Sequence, residues 1–423
     1  MRMHYGWVVV GAGFTVLFLA YGVQYSFGLF FAALTAEFGW KRAALAGVFS
    51  LYAGTYSFAG LIAGRLTDRW GPQRVVALGG LLLGLGLGAA STVHSLGPLY
   101  AAYFVAGLGM STAYVPCSST AVRWFTARRG VAVGLVMAGA GVGVLVCPRP
   151  VALLIDRFGW RGAYLTLGAG LALALAGLSR LLVRDPAARG LLPYGGAPSG
   201  DPVAEPEPGG PSWPVRVAVR HPSFLALAGV YTATWIPVFL TPVHLVPLAQ
   251  DLGLSPAVGA AVLSALGAGS VVGRLAMGAL SDRIGRRPAL AASLVLQALS
   301  FVGLALPTGA PSLFAAATVY GFAYGAVTAL MPAIVGDFFG PAHAGSLVGV
   351  IFGIAGPTSS LGPVLGGLVF DVTRSYAWAF GGAAILNVAA LALLALARPP
   401  GKAPPGAAGG AGLALGAGPR GVR

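Results

Sequence analysis

The sequence predicts an all-α integral membrane protein, with twelve transmembrane helices forming two pseudo-symmetric six-helix bundles. Three observations lead to this fold class. First, 57% of the 423 residues are apolar and only 9% are charged, whereas soluble domains carry about 25% charged residues. Second, the charges cluster between apolar stretches that are long enough to cross a hydrocarbon core of about 30 Å as helices. Third, short motifs recur at one interval, 214 residues, the distance from Asp68 to Asp282.

Twelve apolar stretches predict the helices. The first is too long for a signal-peptide core and no small-residue cleavage pattern follows it, so we interpret it as a transmembrane helix. Transmembrane strands would require alternating segments of about ten residues, which the sequence does not show. Predicted helices 1 to 12 are residues 6–33, 42–65, 75–94, 98–122, 130–156, 162–183, 222–248, 256–281, 289–306, 312–336, 343–370 and 377–397.

The composition between the helices predicts the domain boundaries. Residues 185–221 are rich in Gly and Pro and cannot bury a core, so they predict a cytoplasmic linker. Residues 399–423 are rich in Gly, Ala and Pro and predict a disordered cytoplasmic tail. The N-terminal bundle is then residues 1–184 and the C-terminal bundle is residues 222–398.

The distribution of positive charge predicts the orientation. With the N-terminus in the cytoplasm, 19 of the 26 lysines and arginines lie on the cytoplasmic side, and Lys41, Arg42, Arg157, Arg161 and Arg374 lie outside. This bias predicts a multi-pass protein of the cell membrane with both termini in the cytoplasm. It argues against a nucleic-acid partner despite the net charge of +15, because the arginines are spread over short loops.

The residues that enzymes and cofactors require are scarce. Cys117 and Cys147 lie inside apolar stretches and indicate neither a disulfide framework nor a metal site. Lys41 and Lys402 are the only lysines, so a Walker A lysine is lacking, and no H-E-x-x-H motif occurs. We therefore expect no enzyme activity, no cofactor, no nucleotide, no metal and no obligate protein partner.

A repeated motif follows predicted helices 2 and 8. Its candidate gate residues are Gly64, Asp68, Arg69 and Gly71 in the first half, and Gly278, Asp282, Arg283 and Gly285 in the second. The same interval relates Glu37-Phe-Gly39 to Asp251-Leu-Gly253, and Trp124-Phe125 to Phe338-Phe339. Two repeats with a substrate site near the midplane between them are one plan of secondary transporters.

With this duplicated motif, the chain resembles the major facilitator superfamily along essentially all twelve helices. The resemblance implies the major facilitator fold and a role for the motif in latching the cytoplasmic gate. Its glycines would let helices approach closely, and Asp68 and Asp282 would pair with an arginine or cap a helix. The alternative is that these charges only set the topology, but topology alone does not require aspartate.

Three further segments give a narrower resemblance. They are Tyr5-Gly6-Trp7, the run from Trp124-Phe125 through Arg128-Arg129-Gly130 to Gly134, and Gly159-Trp160-Arg161-Gly-Ala163-Tyr164. Together they resemble the monocarboxylate transporter branch and its bacterial oxalate/formate-type relatives, which implies a small carboxylate substrate. Interface aromatics and packing glycines would explain the residue types, but not the joint pattern.

Arg274 is the strongest candidate for substrate binding. It lies eight residues before Asp282, about 12 Å inside the predicted cytoplasmic boundary, where a charged side chain is costly and a functional candidate by default. The equivalent residue in the first half is Gly60. The guanidinium is permanently charged and its planar fork matches a carboxylate, and the resemblance implies that a helix-8 arginine binds the substrate. The alternative is a buried structural cation.

Polar side chains on other helices complete the candidate site. Helices 1, 4, 7 and 10 line the cavity in the superfamily, and hydroxyls there would bind a carboxylate oxygen or only hold helices together. Arg149 lies between two prolines in helix 5, where it would assist substrate entry or satisfy free carbonyls. The substrate-binding candidates are Arg274, Tyr114, Tyr324, Ser270, Tyr25, Gln24, Arg149 and Ser359.

The chain departs from the resembled branch at its charged positions. Ser270 stands where some members carry Asp, and Tyr25 stands where animal members carry a helix-1 lysine. No lysine or arginine occurs between Gly345 and Phe370, although oxalate exchangers have a lysine in helix 11. A single substrate cation fits a monocarboxylate better than a dicarboxylate.

His244 is the candidate for proton coupling, because the middle of every predicted helix lacks Asp and Glu. It would titrate near neutral pH, or it would stay neutral against a kinked backbone while a proton travels with the substrate. The sequence thus predicts a secondary transporter of lactate-, pyruvate- or formate-type monocarboxylates that works by alternating access, proton-linked or by exchange. Its partners would be the substrate, protons and the lipid bilayer. The alternative is a multidrug or other metabolite antiporter of the same superfamily.

Overall fold

The structure is a computed structural model that describes residues 4–195, 213–340 and 343–400. Within these ranges the regular structure is helical, apart from one isolated bridge between Phe125 and Tyr194. A short 3₁₀ helix, Pro186–Arg189, lies between α7 and α8. The helices α1 to α16 are Tyr5–Tyr25, Phe27–Phe38, Arg42–Trp70, Pro72–Ala90, Leu96–Trp124, Arg129–Val146, Pro148–Ser179, Val215–Ala218, Pro222–Trp235, Leu240–Asp251, Pro256–Ile284, Arg286–Ala305, Ala310–Phe339, Ala344–Ser359, Leu361–Thr373 and Ala377–Leu396.

These helices account for the twelve predicted spans. In the described ranges, nine helical stretches are long and apolar enough to cross a membrane, and the bent helix α3 makes a tenth. The eleventh is α5, whose serines, threonines and tyrosines make it less apolar. The twelfth results from dividing α7 at Gly159, which has the non-helical angles φ 67° and ψ 170°. The part of α7 before Gly159 completes predicted helix 5, and the part after it is predicted helix 6.

Four of the twelve spans are broken helices. The pairs are α1 with α2, α6 with the first part of α7, α9 with α10, and α14 with α15. Pro148 begins α7 and lacks the N–H that would continue the preceding helix. In predicted helix 11 the break lies at Ser360, between α14 and α15. At the break in predicted helix 1, the Ser26 hydroxyl donates to the Gly22 carbonyl at 2.8 Å and so competes with the backbone ladder.

The two halves meet most closely on the side of the molecule away from the N-terminus, which we call the distal side. There α2 packs on α10 and α3 packs on α15, while α6 packs on α11 nearer the middle. Glycines permit these contacts, because a Cβ at Gly28, Gly267 or Gly367 would collide with backbone atoms of the facing helix. The distal side is therefore sealed by direct helix contact.

The described beginning of the predicted linker packs on the N-terminal half. The Tyr194 N–H donates to the Trp124 carbonyl at 2.9 Å, and the Trp7 ring lies 4.9 Å from the Phe125 ring. Two of the segments that carry the narrower resemblance thus meet at one corner. The third lies on the distal side, where the Trp160 indole donates to Glu37.

Candidate functional site

A cavity between the two halves surrounds Arg274. Its volume is about 300 Å³ including space open to solvent, and it is bordered by α1 and α6 of the N-terminal half and by α11 and α13 of the C-terminal half. Because both halves contribute, its shape depends on how they sit against each other. The lining residues are Tyr21, Tyr25, Ala140, Gly141, Val144, Leu266, Ser270, Arg274 and Tyr324.

Arg274 is half-buried on α11 and brings a permanent positive charge into this cavity. Its Nε is buried and forms no hydrogen bond within the described ranges. Among the ion pairs of those ranges, none includes Arg274. A buried charge that lacks a partner is costly, so an anion that enters the cavity would gain a free, pre-placed guanidinium.

Tyr25 and Tyr324 join the two halves beside Arg274. Their hydroxyl oxygens are 3.1 Å apart, one on α1 and the other on α13. A hydroxyl has one proton to donate, so the bond between them uses one proton and leaves the proton of the accepting hydroxyl available. Both residues were predicted as substrate ligands, and the structure places them together with the predicted Arg274.

Ser270 and Tyr114 occupy different positions relative to this cavity. Ser270 is buried on α11 one turn before Arg274 and lines the cavity, as expected for a ligand. Tyr114 lies on α5 and is 45% exposed. Its hydroxyl is within electrostatic range of the Arg274 guanidinium although it is not part of the lining. Tyr114 therefore lies on the approach to the cavity.

Three predicted ligands do not line the cavity with Arg274. Gln24 is buried and faces a second cavity inside the N-terminal half, which Tyr52, Tyr103 and Tyr164 also line. The Ser359 hydroxyl is buried and donates to the Gly356 carbonyl of its own helix at 2.5 Å. The rotation of a helix sets which side chains face a cavity, and the hydropathy of the segment does not reveal this rotation.

Arg149 is the third of these residues and lies on the exposed surface at the start of α7. Its place between two prolines in the sequence did not distinguish an arginine that faces the cavity from one that faces outward. An arginine on the lipid-facing surface extends its head group toward the interface. The structure therefore separates Arg149 from the cavity.

His244 is fully buried on α10, on the distal side. Its Nε2 lies 2.8 Å from the Pro363 carbonyl, which can only accept, and its Nδ1 lies 2.9 Å from the Tyr376 hydroxyl. Arg42 already donates to that hydroxyl at 2.8 Å, and burial raises the pKa of Tyr376 despite this cation. The Tyr376 hydroxyl therefore stays protonated and donates a hydrogen bond to Nδ1. This arrangement suits a neutral imidazole, with its proton on Nε2.

Comparison with known proteins assigns the family. The sequence profile of the Major Facilitator Superfamily matches residues 13–248 and 243–419. Monocarboxylate transporter 11 of Mus musculus is 33% identical over 393 residues, covering 89% of this chain and 83% of the relative. Monocarboxylate transporter 13 of Bos taurus is 31% identical over 390 residues, covering 89% and 85%. The chain belongs to the monocarboxylate transporter family of the major facilitator superfamily.

The fold of this family member agrees with that of solved transporters. The nucleoside transporter NupG superposes with a TM-score of 0.74 at 14% identity, covering 93% of this chain and 100% of that one. At this identity the similarity concerns the fold alone. The predictions of the superfamily, of the narrower branch, of the twelve-helix fold and of a transporter rather than an enzyme are confirmed.

The repeated motif forms a turn that is alike in both halves. Gly71 has φ 82° and ψ 156°, and Gly285 has φ 90° and ψ 151°. Such positive φ values favour glycine. Close helix approach is not seen at the other two glycines: a Cβ at Gly278 would meet no atom within 4 Å, and one at Gly64 would only touch Val115 at 3.5 Å. The close helix contact expected at these two glycines is therefore not formed in this structure.

The charges of the motif pair within their own halves. Asp68 accepts from Arg123 at 3.0 Å in the first half, and Asp282 accepts from Arg286 at 2.5 Å in the second. Asp337 stands in the second half where Arg123 stands in the first, and Arg286 also lies 3.7 Å from it. Among the described residues no ion pair of the motif joins the two halves. Its role as a gate latch stays a prediction.

Sequence reasoning missed two groups of residues. Tyr21, Gly141 and Val144 line the cavity, but they look like ordinary helix residues because nothing in a local pattern tells which helix faces them. The second group surrounds Arg42, which we expected only as an outside loop charge. One signal was available: the interval of 214 residues pairs Glu37 with Asp251, and each of these acids binds an arginine.

Proposed function

We propose that this protein is a secondary active transporter that moves small monocarboxylates, of the lactate, pyruvate and formate type, by alternating access. The observation that carries the proposal is the guanidinium of Arg274, which forms no ion pair with the described residues and lies in a cavity shared by both halves. The relatives that match most of the chain are named monocarboxylate transporters, which supports the same substrate class.

Each side chain of the cavity has a role in this proposal. Arg274 binds the carboxylate with its planar fork, and Tyr25 or Tyr324 donates the free hydroxyl proton to the same ligand. Ser270 adds a hydroxyl one turn away, and Tyr114 guides the anion on its approach. The apolar walls formed by α6 accept a short carbon chain. One cation neutralises one carboxylate, which disfavours a dicarboxylate.

Alternating access follows from the position of the cavity between the halves. With the distal side sealed, the site communicates with the other side, where Tyr114 is exposed. Binding of a carboxylate neutralises Arg274 and lowers the cost of enclosing the site in a low-dielectric interior. Rocking of the two bundles about the cavity then exposes it to the opposite side.

We further propose that transport is proton-linked and that the proton travels with the substrate rather than on His244. The hydrogen bonds of His244 suit the neutral imidazole while the distal side is closed. A residue that carries the proton would have to stay protonated while the distal side is closed. We therefore assign His244 a structural role, which is to stabilise the closed distal side.

The orientation belongs to the same proposal. Both termini lie in the cytoplasm of a multi-pass cell-membrane protein, so that the distal side is extracellular. The bias of positive charge supports this orientation. The only partners required are the substrate, protons and the lipid bilayer. Among the described residues, no observation favours the alternative of a multidrug or other metabolite antiporter of the same superfamily.

Uptake into proteoliposomes tests the proposal. Labelled lactate, pyruvate, formate and oxalate are compared with and without an inward proton gradient. We expect gradient-stimulated uptake of the monocarboxylates, little uptake of oxalate, and loss of uptake in Arg274→Ala. If monocarboxylate uptake does not depend on the proton gradient but increases when monocarboxylate is present inside the vesicles, the transporter is an exchanger and not proton-linked. A lack of uptake for all four substrates would contradict the proposed function.

A further inference from the structure

Arg42 connects the two halves on the distal side. It is the first residue of α3, in the N-terminal half, and its guanidinium forms two parallel bonds with Asp251 of α10, Nη1 to Oδ2 at 2.6 Å and Nη2 to Oδ1 at 2.6 Å. Its Cζ also lies 3.7 Å from the centre of the Phe370 ring. Bidentate, charge-assisted pairs of this kind are the strongest hydrogen bonds between side chains.

Asp371 adds a second charged contact between the halves. Its carboxylate accepts the backbone N–H groups of Arg42 at 3.0 Å and of Ala43 at 2.9 Å. The residue before α3, Lys41, supplies no side-chain cap of its own. An acid at a helix N-terminus satisfies free N–H groups and interacts favourably with the helix dipole. The cap of α3 thus comes from the other half of the molecule.

Burial away from water strengthens the charged contacts of Arg42. Only 14% of the Arg42 side chain is exposed, and 33% of that of Asp251. One turn before Asp371, a Cβ at Gly367 would collide with the backbone of Ala43, so α15 and α3 touch directly. The Tyr376 hydroxyl accepts a further hydrogen bond from Arg42 and donates one to His244. We call Arg42, Asp251, Asp371 and Tyr376 the distal latch.

Every bond of the distal latch depends on the halves being close together. When the distal side opens, Arg42 separates from the carboxylates of Asp251 and Asp371, and α3 loses its N-terminal cap. Within the described ranges, the other hydrogen bond between the halves is the neutral pair of Tyr25 and Tyr324 in the middle. The charged contacts are therefore concentrated where the distal side must separate.

We propose that Arg42 is the residue that holds the distal side closed, and that breaking its bonds to Asp251 and Asp371 is the step that opens the site to that side. The substrate takes no part in these bonds. The latch therefore sets the balance between the two conformations independently of which carboxylate is carried.

A distance measurement tests this proposal without any transport assay. Spin labels are placed on Ser95→Cys and Thr308→Cys, two exposed distal loop positions, one in each half and both outside the latch. The native cysteines are replaced by Cys117→Ala and Cys147→Ala. Electron–electron distance distributions are then recorded for the purified full chain, first with the latch intact and then with Arg42→Gln or Asp251→Asn.

The matched control is Arg161→Gln. Arg161 is also a distal arginine that pairs with an acid at 2.6 Å, but its partner Glu37 lies in the same half. Loss of a charge-assisted pair shifts an equilibrium by about tenfold or more. We expect both latch variants to raise the ratio of distal-open to distal-closed molecules by at least that factor, and the control to leave it unchanged.

Two results would overturn the proposal. One is a distance distribution that stays the same in both latch variants. The other is an equal shift in Arg161→Gln, which would show that any loss of a distal charge has this effect. Asp251→Asn provides a second variant should Arg42→Gln fail to fold. Since no substrate is involved, failure here is distinct from failure of carboxylate uptake.

Discussion

At the scale of single residues, the site combines one charged group with paired hydroxyls. Arg274 supplies the charge, and Tyr25 and Tyr324 supply a hydroxyl proton that their mutual bond does not consume. Their arrangement across the two halves means that ligand binding and the contact between the halves involve the same atoms. This is a physical route by which a substrate can change the balance between conformations.

The tyrosine pair gives the first prediction. Tyr25→Phe and Tyr324→Phe each remove one hydroxyl, and we expect each to weaken pyruvate binding about fivefold, because a net hydrogen bond contributes about 1 kcal/mol. The double variant should weaken binding by less than the product of the two effects, since the hydroxyls act as one pair. Competition against labelled pyruvate in proteoliposomes measures this. Strictly multiplicative effects would show that the hydroxyls act separately.

His244 gives a second prediction at this scale. His244→Gln can accept from Tyr376 and donate to the Pro363 carbonyl, as the neutral imidazole does, but it cannot carry a proton. We expect His244→Gln to retain stimulation of uptake by an inward proton gradient, whereas His244→Phe loses the bonds and reduces uptake with and without the gradient. Uptake by His244→Gln that no longer responds to pH would assign the proton to His244.

At the scale of elements, glycine has two separate uses in the repeated motif. Gly71 and Gly285 end α3 and α11 with positive φ, where any other residue is strained. Gly64 and Gly278 lie inside the same helices, and a Cβ at either position would not collide with any described atom. Their small size matters only if another helix approaches them, as the predicted closed state of a cytoplasmic gate would require.

These two uses predict different effects of alanine. Gly285→Ala should lower the free energy of unfolding by about 1 kcal/mol, because its backbone conformation suits glycine. Gly278→Ala should leave the thermal midpoint unchanged or slightly raised, yet slow transport if a helix packs there in the opposite conformation. Thermal unfolding in detergent and uptake are measured for both. Normal transport by a stable Gly278→Ala protein would remove Gly278 from the gate.

At the scale of the whole molecule, the sequence was informative about everything that depends on local hydropathy. The twelve spans follow from the lengths of the apolar stretches. Arg274 was also predictable, because a charge at that depth is rare whichever way it faces. Contacts between the halves were not predictable: the bond of Arg42 to Asp251 joins residues far apart in the chain, and no periodicity records it. The position of Arg149 outside the cavity was not predictable for a related reason: the depth of a residue in a helix does not determine which way its side chain faces.

The orientation gives a prediction at this scale. With the termini in the cytoplasm, Thr308→Cys should react with a membrane-impermeant thiol reagent added to intact cells, and His343→Cys should react only after the membrane is opened. Both positions are exposed in the structure. The comparison uses the same variant background without native cysteines. The reverse pattern of labelling would invert the assignment of the distal side.

The central claim is that Arg274 binds the substrate carboxylate, and counterflow of labelled pyruvate tests it most directly. Arg274→Gln keeps the size and polarity of the side chain but removes the charge and the fork, whereas Arg149→Gln removes an exposed arginine at the start of α7, outside the cavity, as a control. We predict that Arg274→Gln lowers counterflow by about 100-fold or more, and that Arg149→Gln changes it less than about threefold. Normal counterflow in Arg274→Gln, or equal losses in both variants, would contradict the account.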